Sequence, residues 1–471
     1  MLSSTIFPAI LLCLSTALSG SASNPTPVPA FPTAEGFGKW ATGGRGGKIV
    51  AVTNINDSGE GSLRWALEKY PEEPITVIFK VSGIIDLKTN IRIKRSNITI
   101  AGQTAPGDGI CLKGHSLIIN GAGGHAGGNH GNIIIRYLRS RPGGKDKSGL
   151  YGIDVENCHD VIIDHCSFSW ANEENAALYD TKNLTIQWCI SSEGLYEAGH
   201  AKGHRSYSGV WGGQRSSFHH NLIANNNSRT IRFNGARAHD TTALIDYRNN
   251  VIFNWSSPNA CYGGEVEIPN GKSMINMVNN YYLPGPATPS ELKFVKANYT
   301  PEKAKGVGTW YLNGNVMINS KALTTDNRKG VDAKEVPAEK QKDIFVSAPF
   351  AVTDPIIMQT AGKALETVLN NAGATLPKRD ATDQRLVKEA KTNQCQGMGA
   401  LGKPGIIDDP SAVGGWATYQ SKTPEKDSDG DGIPDAWETK NRLDPRNAKD
   451  GNKLNAEGYT MLEVYLNSLT Q

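Results

Sequence analysis

Twelve residues near the C-terminus carry carboxylates at the spacing of a calcium-binding loop. The segment DSDGDGIPDAWE runs from Asp427 to Glu438, with acidic residues at loop positions one, three, five, nine and twelve. These residues are Asp427, Asp429, Asp431, Asp435 and Glu438. Gly432 stands at the sharp turn of the loop, and Ile433 would supply its backbone carbonyl. The pattern predicts a structural calcium ion in a C-terminal segment, residues 427–471; the alternative is a flexible acidic linker.

The elements that precede this loop are short β-rich segments separated by Gly, Asn and Ser turns. They recur at intervals of roughly 23 to 37 residues, which is typical of a solenoid, whereas the hairpins of a β-sandwich use shorter loops. Equivalent positions of a parallel β-helix stack about 4.8 Å apart. We therefore predict an internal ladder from the small polar residues that share one bend: Cys166, Cys189, Asn221, Asn250, Asn280 and Asn315. The predicted fold class is all-β, a parallel β-helix.

Composition divides the chain into five segments. Residues 1–22 have the apolar run and small-residue end of a secretory signal, and residues 23–34 read as a linker. The β-helix domain is predicted over 35–402, with helical periodicity after residue 360 that indicates helices on the flank or end of the solenoid. A second linker, 403–426, leads to the calcium-binding segment.

A secreted, extracellular and monomeric protein is the expectation. The net charge of +3 does not indicate a nucleic-acid partner, and no later segment indicates a membrane partner. Sequons, including those at Asn226 and Asn254, allow glycosylation in a eukaryotic host. Beyond the signal the chain has six cysteines: Cys111, Cys158, Cys166, Cys189, Cys261 and Cys395. A disulfide between Cys166 and Cys189 and an unbridged thiol stack are both compatible with the ladder.

Several long blocks resemble one enzyme family over roughly residues 31–400. They are FPTAEGFG from Phe31, TIAGQTAPGDGI from Thr99, IIIRYLRSR from Ile133, VIIDHCSFSW from Val161, SFHHNLIANNNSRTIRF from Ser217 and LNNAGATLPKRDATDQRLV from Leu369. The chain is similar in these blocks to the microbial pectate lyases of polysaccharide lyase family one. The C-terminal loop is similar to the DxDxDG modules of secreted microbial enzymes. The resemblance implies a right-handed parallel β-helix with an active cleft along one face.

The chemistry that the resemblance implies is β-elimination on polygalacturonate. Removal of the C5 proton builds negative charge on the adjacent carboxylate, so the site requires cations and a base rather than two water-activating carboxylates. Arg229 in NNNSRTIRF matches the family's proton-abstracting arginine, with Ile231 in place of a proline. Arg232, and Lys202 in the Gly-rich loop GHAKGHRSYSGVWGGQ, are candidate binders of the substrate carboxylate.

Calcium in the cleft is also implied, with Glu173 and Glu174 as its oxygen ligands. Tyr151 stands where the family carries another calcium-binding Asp, and Asp154 and Asp146 are the nearby candidates to replace it. This departure weakens the expected calcium dependence of the cleft.

Three functions remain open at this point. The first is a calcium-dependent pectate lyase acting on de-esterified polygalacturonate. The second is a pectin lyase acting on methylated substrate, and the third is a non-catalytic, sugar-binding β-helix. For Arg229 the alternative to a catalytic base is a residue that only binds the substrate carboxylate.

Overall fold

The computed structural model describes residues 27–121 and 128–470. The chain coils so that each turn contributes one strand to each of three parallel sheets, with ten, nine and nine strands in the described residues. This is a right-handed parallel β-helix, and the predicted fold class is confirmed. The predicted signal lies outside the described residues and stays a prediction.

The strands of each sheet follow one another in chain order along the helix axis. Sheet 1 contains β1 (Lys48–Val52), β2 (Ile75–Phe79), β5 (Ile98–Ala101), β8 (His130–Arg136), β11 (Cys158–Asp164), β14 (Lys182–Gln187), β17 (Gln214–His219), β20 (Thr242–Arg248), β23 (Lys272–Val278) and β26 (Thr309–Asn313). Sheet 2 contains β3 (Gly83–Asp86), β6 (Ile110–Lys113), β9 (Arg139–Ser140), β12 (Ser167–Ser169), β15 (Ile190–Ser192), β18 (Leu222–Asn226), β21 (Val251–Trp255), β24 (Tyr281–Leu283) and β27 (Val316–Met317). Sheet 3 contains β4 (Ile91–Ile93), β7 (Leu117–Asn120), β10 (Ile153–Glu156), β13 (Glu174–Tyr179), β16 (Tyr207–Gly212), β19 (Ile231–Asn234), β22 (Asn259–Gly263), β25 (Lys293–Ala297) and β28 (Val331–Asp332).

The core is a column of stacked apolar side chains inside the coil. Ile135, Ile163, Ile186 and Phe218 are register partners on successive strands of sheet 1, and all four are fully buried. Side chains alternate along each strand, so such residues point inward while their neighbours face outward. Long uneven loops are tolerated because each turn needs to match only the turns above and below it.

The predicted asparagine ladder is present. The backbone N–H groups of Asn221, Asn250 and Asn280 donate to the side-chain oxygen of the next ladder residue, at 2.9–3.0 Å. Asn327, which was not among the predicted ladder residues, accepts a hydrogen bond from the backbone N–H of the last predicted member, Asn315. Each buried bend is therefore hydrogen bonded to its neighbour, which satisfies polar groups that would otherwise be costly inside the coil.

The six cysteines within the described residues are unbridged thiols. The backbone N–H of Cys166 donates to Sγ of Cys189 at 3.3 Å, so the thiol-stack alternative describes this pair and the predicted disulfide does not. Two predicted glycosylation sequons are also inaccessible, because Asn226 and Asn254 are fully buried.

The helices lie outside the coil. They are α1 (Leu63–Glu68), α2 (Lys321–Thr325), α3 (Ala361–Asn371), α4 (Ala381–Thr392), α5 (Asp435–Lys440) and α6 (Met461–Ser468). Short 3-10 helices span Phe37–Trp40, Gly102–Thr104, Asn327–Gly330, Ala338–Asp343, Pro410–Val413 and Asp450–Asn452. Helices α3 and α4 pack on the flank of sheet 2, where Val368 and Leu386 contact Leu222 and Val251 in one buried cluster. No helix of the described residues is long and apolar enough to cross a membrane.

The N-terminal block FPTAEGFG covers the outer face of sheet 1. Its backbone is fixed by side chains of the sheet: Gly38 N–H donates to Oγ1 of Thr185 at 2.9 Å, and Phe37 N–H donates to Oγ of Ser217 at 3.1 Å. A Cβ on Gly38 would lie 2.2 Å from the carbonyl oxygen of Val161, so only glycine fits this contact. Sheets 1 and 2 are thus covered on their outer faces, and sheet 3 carries the open cleft.

Candidate active site

A polar cleft with a volume of about 520 Å³ lies on the outer face of sheet 3. Its walls come from the outer positions of successive strands and from the loop before β16. The lining residues are Tyr151, Glu173, Glu174, Ala177, Tyr179, Lys202, Arg205, Val210, Arg229, Arg232, Asn234, Arg237 and Ala238. The coil therefore brings Arg229, Arg232, Lys202, Glu173 and Glu174 to one cleft, although they are far apart in the sequence.

Arg229 is held in the cleft by three side chains. Its Nη1 forms an ion pair with Oε1 of Glu174, and its Nε donates to the hydroxyl oxygen of Tyr262 at 2.7 Å. Its guanidinium lies 4.3 Å from the ring centroid of Tyr207. The backbone of Arg229 has a φ of 46°, in the left-handed region that many residues at the bends of this coil adopt.

Glu173 is surrounded by basic groups. It forms an ion pair with Nη2 of Arg205, and its Oε2 lies 2.5 Å from Nε2 of His200. Nζ of Lys202 lies 3.7 Å from Oε1 of Glu173, but the Lys202 side chain is 72% exposed. Arg205 is buried and also approaches Oε1 of Glu174 at 3.7 Å. Arg205 is thus the better fixed cation of this loop.

Arg205 was missed at the sequence level. It lies three residues after Lys202 in the same Gly-rich segment and two residues before strand β16, and that position was the available signal. The backbone N–H of Arg205 donates to the carbonyl of Tyr196 at 2.9 Å close to the start of the strand, whereas Lys202 lies in the exposed part of the loop. The ring of Tyr207 lies 4.4 Å from the Arg205 guanidinium and 4.3 Å from that of Arg229, so it contacts both cations.

Arg232 lies on β19, three residues after Arg229 in the chain, and lines the same cleft. It pairs with Val210 of β16 on one side and with Tyr262 of β22 on the other. Its Nη2 forms an ion pair with Oε1 of Glu265, a buried residue that was also not identified from the sequence. Three guanidinium groups therefore line one wall of the cleft, and each has an acidic partner.

The ionisation of the central pair follows from its burial. Burial raises the pKa of Glu174 to about 7, although the charges of Arg229 and Arg205 oppose the rise. For Arg229, burial alone would lower the pKa, but the carboxylate of Glu174 with the hydroxyls of Tyr262 and Tyr207 raises it above its usual value. Arg229 is thus held as a cation in this arrangement.

The predicted cleft calcium does not fit these side chains. Within the described residues, Glu173, Glu174 and Asp154 do not form a group of three close ligand atoms. Both glutamates instead neutralise arginines. Asp154 is buried on β10 beside Glu156, and this burial and the neighbouring carboxylate raise its pKa well above the usual range. Tyr151, which replaces the family's Asp, lines the cleft with a phenol.

The C-terminal loop does gather carboxylates. Ligand atoms of Asp427, Asp429 and Asp431 lie within 4.8 Å of one another, as do those of Asp431, Glu438 and Asp450. Burial and these neighbours raise the pKa of Asp431 to about 6 and that of Glu438 to about 7. Asp450 was not part of the predicted ligand set.

Asp435 belongs to neither group. Its carboxylate accepts hydrogen bonds from the backbone N–H of Ser428 at 2.7 Å and from Nζ of Lys426 at 2.8 Å. It therefore fixes the turn at the start of the loop, in contrast to the ligand role predicted for it.

Comparisons with known proteins show similarity to pectate lyases. The chain is 34% identical over 446 residues to probable pectate lyase C of Aspergillus terreus, covering 93% of this chain and 94% of that protein. It is 33% identical over 466 residues to probable pectate lyase C of Aspergillus flavus, covering 98% of each. No family model matches the chain.

Solved structures give weaker similarities. The crystal structure of Jun a 1, the major allergen from cedar pollen, aligns with a TM-score of 0.48 at 18% identity, covering 72% of this chain and 92% of that one. A pectate lyase from Bacillus sp. N165 in complex with trigalacturonate aligns with a TM-score of 0.42 at 16% identity, covering 72% and 98%.

Proposed function

The chain belongs to the pectate lyase family, and on that premise we propose that it cleaves de-esterified polygalacturonate by β-elimination to give unsaturated oligogalacturonides. A base removes the C5 proton, the C4–O bond breaks, and the electron pair of the C5–H bond becomes the C4–C5 double bond. The leaving oxygen takes up a proton from water. Negative charge accumulates on the uronate carboxylate during the first of these steps, so its neutralisation governs the rate.

The observation that carries the proposal is the wall formed by Arg205, Arg229 and Arg232. Guanidinium groups bind carboxylates through two parallel hydrogen bonds, and at neutral pH they are cations. A neutral methyl ester would gain less from such a wall, which favours de-esterified substrate. Hydrolysis is disfavoured because it needs two carboxylates available for proton transfer, and here Glu173 and Glu174 are occupied by ion pairs.

We assign the roles as follows. Arg229 is the base that takes the C5 proton, and Arg232 with Lys202 binds the substrate carboxylate, to which we add Arg205. Because Glu174 raises the pKa of Arg229, proton abstraction requires Glu174 to be neutralised or displaced when substrate binds, and an alkaline optimum follows. Tyr262 fixes the guanidinium through its Nε atom and leaves one Nη atom for the substrate.

Calcium would supply further charge neutralisation at the uronate if it were bound in the cleft. The side chains there do not fit such an ion, and we derive no step through it. The arginines perform the neutralisation instead. This same observation supports the second candidate, a pectin lyase on methylated substrate, because that activity also needs no calcium in the cleft.

The test is the ultraviolet absorbance of unsaturated product from polygalacturonate and from highly methylated pectin, with and without chelator. We expect product mainly from polygalacturonate, and Arg229→Ala should lower its rate by about 1000-fold. Arg215→Ala is the matched control, an exposed arginine on β17 outside the cleft. Product only from methylated pectin would favour the second candidate. No product from any pectin would contradict lyase activity and favour sugar binding alone.

Arg229→Lys separates the two roles of Arg229. Lysine has a lower pKa than arginine, about 10.4 against more than 12. If residue 229 is the base, the optimum of the residual activity moves to lower pH. If it only binds the carboxylate, the pH profile keeps its position and KM alone rises.

A further inference from the structure

We propose that Asp427, Asp429, Asp431, Glu438 and Asp450 form a calcium site that fastens the C-terminal segment, residues 427–470, to the outer face of the first turns of the β-helix. The site lies outside the cleft and takes no part in β-elimination, so it goes beyond the proposed function. Its occupant is a hard divalent cation that accepts only oxygen ligands, and five carboxylates favour Ca²⁺ over the smaller Mg²⁺, which retains most of its waters.

Buried carboxylate oxygens without a protein partner point to the ion. In the described part of the chain, both oxygens of Glu438, Oδ2 of Asp429, Oδ2 of Asp431 and Oδ1 of Asp450 are buried with no hydrogen-bond partner. Glu438 is 0% exposed and Asp450 is 1% exposed. Charged carboxylates are costly to bury without a partner, so a cation that pairs with these oxygens would stabilise the cluster.

The hydrogen bonds of Asp431 and Asp450 leave one oxygen of each carboxylate for a ligand. Oδ1 of Asp431 accepts from the N–H of Ile433 at 2.9 Å, and its Oδ2 remains. Oδ2 of Asp450 accepts from the N–H of Asp444 at 2.9 Å, and its Oδ1 remains. One oxygen thus holds the loop in shape while the other stays available, which is the division of roles that a preformed cation site needs.

Asp450 is the part of the site that the loop motif does not contain. It begins a 3-10 turn twelve residues after Glu438, outside the twelve-residue loop. The turn approaches so closely that a Cβ on Gly451 would lie 2.3 Å from Oδ2 of Asp431. Glycine at 451 therefore allows the backbone of the turn to reach the ligand cluster.

Basic groups do not balance this charge. Nζ of Lys80 lies 3.0 Å from Oδ2 of Asp427, and Nζ of the exposed Lys453 lies 3.7 Å from Oδ2 of Asp450. Two lysines against five carboxylates leave a net negative charge at the cluster. A divalent cation is therefore needed to neutralise most of the remainder.

The cluster is joined to the β-helix by side chains of its own loop. Lys80 directly follows β2, so its ion pair with Asp427 links the loop to sheet 1. Ile433, between two of the ligands, is fully buried in one apolar cluster with Ala101 of β5 and Leu462 of α6. Binding of the ion orders the loop, and the loop carries Ile433 into this contact, so calcium affinity and docking are coupled.

The experiment uses the full chain with calcium removed by chelator and dialysis. Calorimetric titration should show one tight calcium per chain, and the melting temperature should rise with calcium. We expect Glu438→Gln and Asp450→Asn to weaken calcium binding by about tenfold or more. Asp435→Asn is the matched control from the same loop, and it should keep the calcium-dependent rise.

Melting without calcium separates ligand loss from misfolding. Glu438→Gln removes repulsion from the empty cluster, so in chelator it should melt at the same temperature as wild type or higher, and only in calcium should it melt lower. Limited proteolysis within 403–426 should be faster in chelator. The proposal fails if the chain binds no calcium, or if Glu438→Gln and Asp450→Asn keep the wild-type rise. Calcium binding is measured without substrate, so this outcome is independent of the lyase assay.

Discussion

The Nε atom of Arg229 donates a 2.7 Å hydrogen bond to the hydroxyl oxygen of Tyr262, which β22 carries on the next turn of the coil. We expect Tyr262→Phe to lower kcat on polygalacturonate by about tenfold, because a hydrogen bond to a charged group contributes about 1.5–3 kcal/mol. KM should change little, since Arg232 still binds the carboxylate. Steady-state kinetics of product absorbance is the measurement.

Tyr281→Phe provides the control for this prediction. Tyr281 is a half-buried tyrosine on β24 of sheet 2, away from the cleft lining. If both variants lose the same activity, the effect is not specific to Arg229. A rise in KM with unchanged kcat for Tyr262→Phe would also contradict a positioning role.

Arg205 should matter more for activity than Lys202. Arg205 is buried against Glu173 and Glu174, while Lys202 is mostly exposed and 3.7 Å from Glu173. Arg205→Gln should therefore lower kcat/KM by about 100-fold and Lys202→Gln by about threefold or less, since exposed ion pairs contribute about 0–1 kcal/mol. Equal losses in the two variants would show that the exposed lysine folds over bound substrate.

The fold could be predicted from the sequence because its signal repeats. Asn221, Asn250, Asn280 and Asn315 each follow a strand and precede apolar residues, and the structure joins them in one ladder. Because the pattern repeats, each turn of the coil supports the assignment of the turns beside it, and one misassigned bend does not change the predicted fold. Asn327 was not predicted because it belongs to a 3-10 helix, whereas the other ladder asparagines lie at bends between strands.

The site was less predictable because its partners lie in other turns. The cleft position of Arg229 follows from the motif and the coil, but Tyr262 and Glu265 are selected by register on β22 and just beyond it. No local sequence pattern identifies Tyr262 or Glu265 as a partner of the site. The same holds for Asp450, which lies outside the twelve-residue motif although its carboxylate lies close to those of Asp431 and Glu438. Contacts between neighbouring turns with loops of different length can be predicted only when the strand register is known. Spacing in the sequence alone does not give that register.

Removal of one ladder residue should destabilise the coil. Asn250 accepts from Asn221 and donates to the carbonyl of Phe218 at 2.9 Å and to Asn280 at 3.0 Å, and it is fully buried. Asn250→Ala leaves these groups unpaired, so we expect a loss of about 3 kcal/mol in unfolding free energy, seen in chemical denaturation. The control Asn313→Ala changes an exposed side chain at the end of β26 and should cost less than about 0.5 kcal/mol.

Asp240 should make the stability of the cleft edge depend on pH. Its Oδ2 accepts from the N–H of Asp180 at 2.9 Å and from Nδ2 of Asn234 at 3.2 Å, and Asn234 lines the cleft. Burial, with the charge of Asp180 as the second cause, raises the pKa of Asp240 to about 8. His239 pairs with Asp180 at 3.1 Å and is the basic group that faces this carboxylate pair.

Linkage between protonation and folding sets the direction in which Asp240 changes stability with pH. The pKa of Asp240 is higher in the folded chain than in the unfolded chain, so at pH values between these two pKa values the folded state binds more protons. The contribution of protonated Asp240 to folding stability is therefore fully present below the unfolded pKa. It is lost as the pH rises through about 8. Asp240→Asn keeps an acceptor for the Asp180 N–H and cannot ionise. Its melting temperature relative to wild type should therefore increase from about pH 4 to about pH 8 and then level off. Asp343→Asn, at an exposed position, should show no such trend. A constant difference between Asp240→Asn and wild type across this range would mean that Asp240 ionises equally easily in the folded and unfolded chain.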